Sequence, residues 1–200
     1  MNESKEHILT SSLQLFLQKG FKDVTMKDIV EKTGLSKGAF YHYFSSKEQV
    51  FEEVIRFFFN DFFVEDFNEY SHNSLEQFIH DAVESLDRKL KSAKIVLQDK
   101  DHAFNANHYF LLFDALKLLP DFKQELLKRQ KSELKAWTKI VTIARKNREI
   151  RSDMTDEQVA KLFIFVSDGV GINLIMLEEM QKAKKELQTM WGGLYTSLKK

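Results

Sequence analysis

Residues 24–50 read VTMKDIVEKTGLSKGAFYHYFSSKEQV, and this stretch leaves few folds open to the chain. Thr25 is a good helix N-cap, and Asp28, three residues on, can return a bond to the cap, so a helix begins at about Met26. Ile29 and Val30 face inward. Gly34, free to take a positive φ, then stops the helix. Ser36 caps the next one. Phe40 and Phe44, four apart, pack down and leave Lys37, Gly38, Tyr41 and His42 on the other face. Ser45 or Ser46 caps a third, longer helix, with Glu48 or Gln49 three residues after each. Helix, short glycine-containing turn, helix is the helix-turn-helix outline, which an ordinary helical hairpin with a polar outer face shares. The second helix has more to offer than an outline. It turns a cation, a glycine and two polar aromatics outward, and a helix of that kind suits the major groove with its first residues at base edges.

The wording is narrower than the pattern. Thr25-Met26-Lys27-Asp28-Ile29, Gly34-Leu35-Ser36-Lys37-Gly38-Ala39-Phe40-Tyr41-His42-Tyr43-Phe44 and Ser46-Lys47-Glu48 closely resemble the N-terminal domain of the TetR family of bacterial transcription regulators. The upstream amphipathic helix, with Leu15-Phe16 and Gly20-Phe21, fits the same resemblance. Beyond it the chain matches only in length and helical layout. The resemblance implies a helix-turn-helix DNA-binding domain over residues 1–46. It further implies a helical effector-binding and dimerisation domain over 47–200, entered through a connector helix over 47–68. It carries operator contacts onto Lys27, Lys37, Gly38, Ala39, Tyr41, His42 and Lys47. Thr25, Tyr41, Lys47 and the helix N-terminal amides are placed to reach phosphates, which fixes register without reading sequence. Ser36 heads the reading helix. Lys37 and Lys27 are candidates for guanine edges, where an ammonium can donate to O6 and N7, and the Ala39 methyl can meet a thymine methyl. A solvated histidine at His42 and a lid on the small core at Tyr41 are the plainer readings of those two residues.

Charge does not decide the matter. Lys+Arg and Asp+Glu are both 30 in 200 residues, so the formal net charge is +0 and any nucleic-acid surface must come from local placement. There is no cysteine, which removes disulfides and thiolate chemistry and suits a reducing cytoplasm. With 7 glycines, 1 proline and few alternating runs, the chain is predicted to be all-α. No targeting segment is evident at the N-terminus. The most apolar run, residues 57–64, is too short to span a bilayer and contains Asn60 and Asp61.

In order, the spacing predicts a first helix over about 5–19 that Gly20 ends, with Phe21 making a hydrophobic contact past the end. The connector that follows is rich in phenylalanine. Leu75, Phe78, Ile79, Val83, Leu86 and Leu90 mark another amphipathic helix. Asp101, His102 and His108, with His80 further off, match no dense metal-ligand spacing and read as polar loop residues, so no metal or cofactor is expected. Tyr109, Leu112, Phe113 and Leu116 form a helix that Pro120 closes. A long helix then runs to about Arg148, its outer face carrying Lys123, Lys128, Arg129, Lys131, Lys135 and Lys139; interspersed Glu125 and Glu133 make that a solvated face. Thr155 to Gln158 is a capping box for a helix to about residue 180, in which Gly169 and Gly171 imply the close approach of another helix. The last helix shows Leu187, Met190, Trp191, Leu194 and Tyr195.

In the family, the last two helices pair two subunits, and a two-fold dimer presents two reading helices about 34–36 Å apart to a palindrome. The expected function is therefore a ligand-responsive regulator, most often a repressor, released from a palindromic double-stranded operator by a small apolar effector. Candidate cavity liners are Phe63, Phe104, Tyr109, Phe113, Trp137, Phe163 and Asp168, each of which also reads as plain core. A helical ligand-binding or scaffold protein with a silent head is the alternative. No paired catalytic constellation stands out, and neither an enzyme nor a membrane protein is expected.

Overall fold

A computed structural model describes residues 3–63, 65–97 and 105–199, leaving aside the side chains of 59–63 and 96–97. The described residues are helical almost throughout: α1 (Glu3–Asp23), α2 (Met26–Thr33), α3 (Lys37–Tyr41), α4 (Lys47–Phe63), α5 (Leu75–Leu97), α6 (Asn107–Leu118), α7 (Phe122–Lys146), α8 (Asp156–Met176) and α9 (Ala183–Leu198). An isolated antiparallel bridge between Ile150 and Lys199 is the β pairing found among them. The chain divides into two compact units, Met1–Val64 with Ser92–Lys123, and Glu65–Lys91 with Gln124–Lys200.

In the first unit α1 packs against α2, α4 and α6. Its buried face is Ile8, Leu9, Leu13 and Phe16, and Ser12 returns its hydroxyl to the Ile8 carbonyl at 2.7 Å, so the small polar side chain costs nothing in the core. As the spacing predicts, the helix breaks at Gly20, which leaves the helical region at φ 76 and ψ 161; a short helical turn follows to Asp23. That break swings the Phe21 ring onto Phe51 of α4, with centroids 4.6 Å apart, while Phe16 meets Phe51 edge-on at 5.3 Å. On α6, buried His108 stacks near Phe58 of α4 at 5.7 Å. Burial pushes the His108 imidazole down to about 4.

The second unit is built on an aromatic centre. Trp137 of α7 stacks on Phe163 of α8 at 5.1 Å and 9°, and meets Phe78 of α5 and Trp191 of α9 edge-on. The Trp191 indole donates to the Phe163 carbonyl at 2.8 Å, so its polar atom is satisfied inside the core. The Glu149 carboxylate accepts from the amides of Leu75 and Glu76, both at 3.0 Å, and from the Tyr195 hydroxyl at 3.1 Å. One side chain thereby caps the start of α5 and ties down α9. Thr155 caps α8 in a reciprocal box with Gln158.

Three expectations change. The connector helix stops at Phe63 rather than near residue 68. Beyond it Glu65 accepts hydrogen bonds from Tyr70, Ser85 and Lys89, Asp66 accepts from the Asn68 amide, and residues 67–69 form a short 3-10 turn. Burial would raise the Glu65 pKa, but its three donors outweigh that and hold it low. Arg129 and Glu133 do not lie on a solvated outer face. Both are half-buried, and loss of solvent lowers the guanidinium and raises the carboxyl, with Asp168 and Glu65 adding their fields. Finally, the most apolar helical stretch is α8, the one helix among the described residues long and apolar enough to cross a membrane by length and composition.

Candidate nucleic-acid interface

The geometry of residues 25–49 follows from four local caps. The Thr25 hydroxyl accepts from the Asp28 amide at 3.1 Å, and Asp28 accepts from the Thr25 amide at 2.8 Å and hydroxyl at 2.5 Å. Those bonds from Thr25, with Lys19 at 3.1 Å, hold the Asp28 carboxyl down to about 2. Gly34 ends α2 in the left-handed region at φ 67, and its amide donates to the Glu31 carbonyl. Ser36 accepts from the Ala39 amide at 3.2 Å and so opens α3. Ser46 accepts from the Gln49 amide at 3.2 Å, and the Gln49 side chain returns to the Ser45 amide at 2.9 Å.

These caps fix which side of α3 faces out. Phe40 is 0% exposed and Phe44 is buried beside it, so the five-residue helix is nailed down along one edge. Ser36, Lys37, Gly38, Ala39, Tyr41 and His42 all lie exposed on the other, Tyr41 at 51% with its ring edge-on to Phe40. Lys37 forms no ion pair or hydrogen bond among the described residues. Thr25 and Lys27 are exposed at the start of α2, where Lys27 sits in a loose pair with Glu31 at 3.7 Å. Such a pair is worth little in water and leaves the ammonium available. The Thr25 hydroxyl and amide, by contrast, already donate to Asp28, which leaves the first-turn amides of Met26 and Lys27 as the backbone donors at that end. Lys47 differs from the rest. It is half-buried, and its ammonium donates to the carbonyls of Phe21 at 2.9 Å and Lys22 at 3.3 Å.

The model for bacterial regulatory proteins of the tetR family matches residues 8–54, the segment that holds α1, the two short helices and the start of α4. That segment is an N-terminal domain of the TetR type. Among the relatives, an uncharacterised HTH-type regulator, YerO of Bacillus subtilis, is 52% identical over 48 residues, spanning 24% of this chain and 17% of that protein. Similarity to the HTH-type transcriptional repressor KstR2 of Mycolicibacterium smegmatis is lower, at 25%, but runs over 203 aligned residues, 96% of this chain and 91% of that one. The higher identity goes with the shorter alignment. In three dimensions the chain superposes on NalD, the secondary repressor of a multidrug efflux pump in Pseudomonas aeruginosa, with a TM-score of 0.63 over 99% of this chain and 96% of that one. At 12% identity that likeness is one of fold.

The residues expected to line a ligand cavity are divided between the two units. Trp137 and Phe163 are 2% and 0% exposed and are consumed by packing on each other and on Trp191 and Phe78. Tyr109 and Phe113 lie four apart on α6 in the other unit, Phe113 well exposed. Phe104 and the side chain of Phe63 lie outside the described residues, as do Asp101 and His102. Asp168 takes an exposed position on α8, yet neighbours that displace solvent from its carboxyl raise its pKa, against the pull of Arg129. Arg129 and Glu133 are the charged neighbours that the spacing did not single out. On a helix with a cation or anion at almost every turn, only the partners reveal which charges turn inward.

No helix closes on Gly169 and Gly171 among the described residues: beyond their own helix, a Cβ added at either meets nothing within 4 Å. Around them α8 exposes Phe165 at 63% and Met176 at 60%, with Ile172, and Met190 of α9 is also exposed. Val166, Gly169, Val170, Glu186 and Met190 line a groove between the two helices.

Proposed function

We propose that this regulator is a homodimeric repressor that sits on a palindromic DNA operator through α3 of each subunit and leaves it when a small molecule binds. The observation that carries the reading is the split of α3: Phe40 and Phe44 secure it from below while Lys37, Gly38, Ala39, Tyr41 and His42 stand exposed on the other side. Exposed positions on a capped helix held from beneath are what a base-reading surface requires. Lys37 takes guanine edges, Gly38 lets the backbone close on the groove, Ala39 meets a thymine methyl, and Tyr41, with the α2 amides above Lys27, contacts phosphates. The apolar, glycine-notched face of α8 with α9 supports the dimer, since a contiguous exposed apolar surface on a soluble chain marks a pairing site.

An effector acts by binding better to the arrangement that fits DNA worse, and by reciprocity DNA weakens effector binding by the same factor. The packing of α6 on α1, and of His108 on Phe58 of α4, supports α4 and α6 as the elements that pass the signal to the head. The effector is a small, mainly apolar molecule, with Arg129, Glu133 and Asp168 as the charged groups nearest the apolar interior of their unit. A gel shift at low salt on palindromes upstream of the protein's own gene tests the reading. A retarded band that a chemical library can dissolve is the expected result, and no retardation with any fragment would sink it.

A further inference from the structure

The side chain of Lys47 spans the base of the helix-turn-helix. Its ammonium donates to the Phe21 and Lys22 carbonyls, and stands 4.4 Å above the Phe21 ring. Those carbonyls follow the break at Gly20, in the turn that leads from α1 into α2. The Phe21 ring in turn rests on Phe51, four residues along α4 from Lys47, so stem and ring form one packed block. α1 leads into α2 through Val24 and Thr25, and α4 receives the chain from α3 through residues 42–46. A bond from residue 47 to residues 21 and 22 therefore closes the segment that holds α2 and α3 at its two ends.

We infer that Lys47 is a positioning residue of the DNA-binding head, a clamp that sets the angle of α2 and α3 on α1 and α4, and that it acts on DNA through the Phe21 and Lys22 carbonyls and not by pairing with a phosphate. The inference rests on the DNA-binding reading above. Two of the three ammonium protons are already given to protein carbonyls, and the third is beside an aromatic face that competes for the charge. The clamp and the phosphate contact differ in salt dependence. A lysine that pairs with a phosphate contributes about 0.9 to the slope of log K against log salt, whereas a clamp contributes affinity without slope.

The test uses full-length protein and a duplex selected by it from a random pool. Lys47→Met keeps the stem over Phe21 and removes the donors. The clamp predicts a loss of about tenfold or more in affinity at fixed salt with the parent's slope retained. It also predicts recovery in Lys47→Arg, which restores donors and charge, and faster amide exchange over residues 17–30 of free Lys47→Met. An unchanged affinity overturns the inference, and so does a slope shallower by about 0.9, which is the signature of a phosphate contact. If Lys47→Met does not fold, Phe21→Leu takes its place: it leaves the cation and removes the ring beneath it, and an unaltered affinity there counts against the clamp. A parent protein that selects no duplex defeats the DNA reading, while the exchange experiment, which needs no DNA, still decides whether Lys47 holds the head together.

Discussion

Lys37 and Gly38 are adjacent, and they fail in different ways. Lys37→Ala removes an exposed side chain with no partner among the described residues, so folding stability should not move. Operator affinity should fall, with base preference at the contacted position relaxed by about 1–3 kcal/mol, as competition with single-base operator variants would measure. Gly38→Ala should raise helix stability by up to about 1 kcal/mol, because beyond its own helix the new Cβ meets nothing within 4 Å among the described residues. Its DNA binding should nonetheless drop, since the methyl stands where the groove must approach; a more stable protein that binds DNA like the parent would contradict the assignment. Asp28 gives a pH test. Its pKa is depressed from 3.8 to about 2, so its bonds to Thr25 stabilise the start of α2 above about pH 4 and are lost as pH falls through about 2. Asp28→Asn should abolish that acid step in the Thr25 amide resonance. All three residues were legible in the sequence because caps, turns and i, i+4 pairs act within a few residues. Lys47 was visible as a cation but not as a clamp, since its partners lie 25 and 26 residues away.

At the scale of the element, the sequence located each helix and missed where the connector stops and which way part of α7 faces. The connector was read to residue 68 because phenylalanine spacing continued. It ends at Phe63 because Glu65 is drawn to Lys89 and because Phe67 stacks on Phe78 at 6.3 Å, and both are attractions to α5 with no local trace. The N-terminus of α5 is likewise capped from 74 residues away, by Glu149. Glu149→Ala should cost about 1–2 kcal/mol in urea unfolding, in the range of a lost N-cap, while Ser74→Ala should cost less. The α4–α6 contact carries a second pH dependence. Burial lowers His108 from 6.5 to about 4, so the unfolded chain binds the extra proton first. Stability should therefore fall as pH drops from about 6.5 to about 4, by up to roughly 3 kcal/mol, and His108→Gln should flatten the profile between pH 7 and 5.

For the whole molecule the open question is the company it keeps. A single chain leaves Phe165, Ile172 and Met176 exposed on the most apolar of its described long helices. Light scattering at micromolar concentration should give twice the chain mass of 23.5 kDa. Phe165→Glu should shift that species to the monomer and weaken DNA binding steeply, because each half then binds alone; a parent protein that scatters as a monomer would contradict the dimer.

The idle outer edge of α3 has a consequence for how such a protein changes over generations. Lys37, Gly38, Ala39 and His42 anchor nothing, and the residues that do, Phe40 and Phe44, point away from the groove. Exchanging the first group leaves the head intact. A duplicated gene can therefore be readdressed to a different stretch of chromosome by two or three substitutions, without passing through an unfolded ancestor.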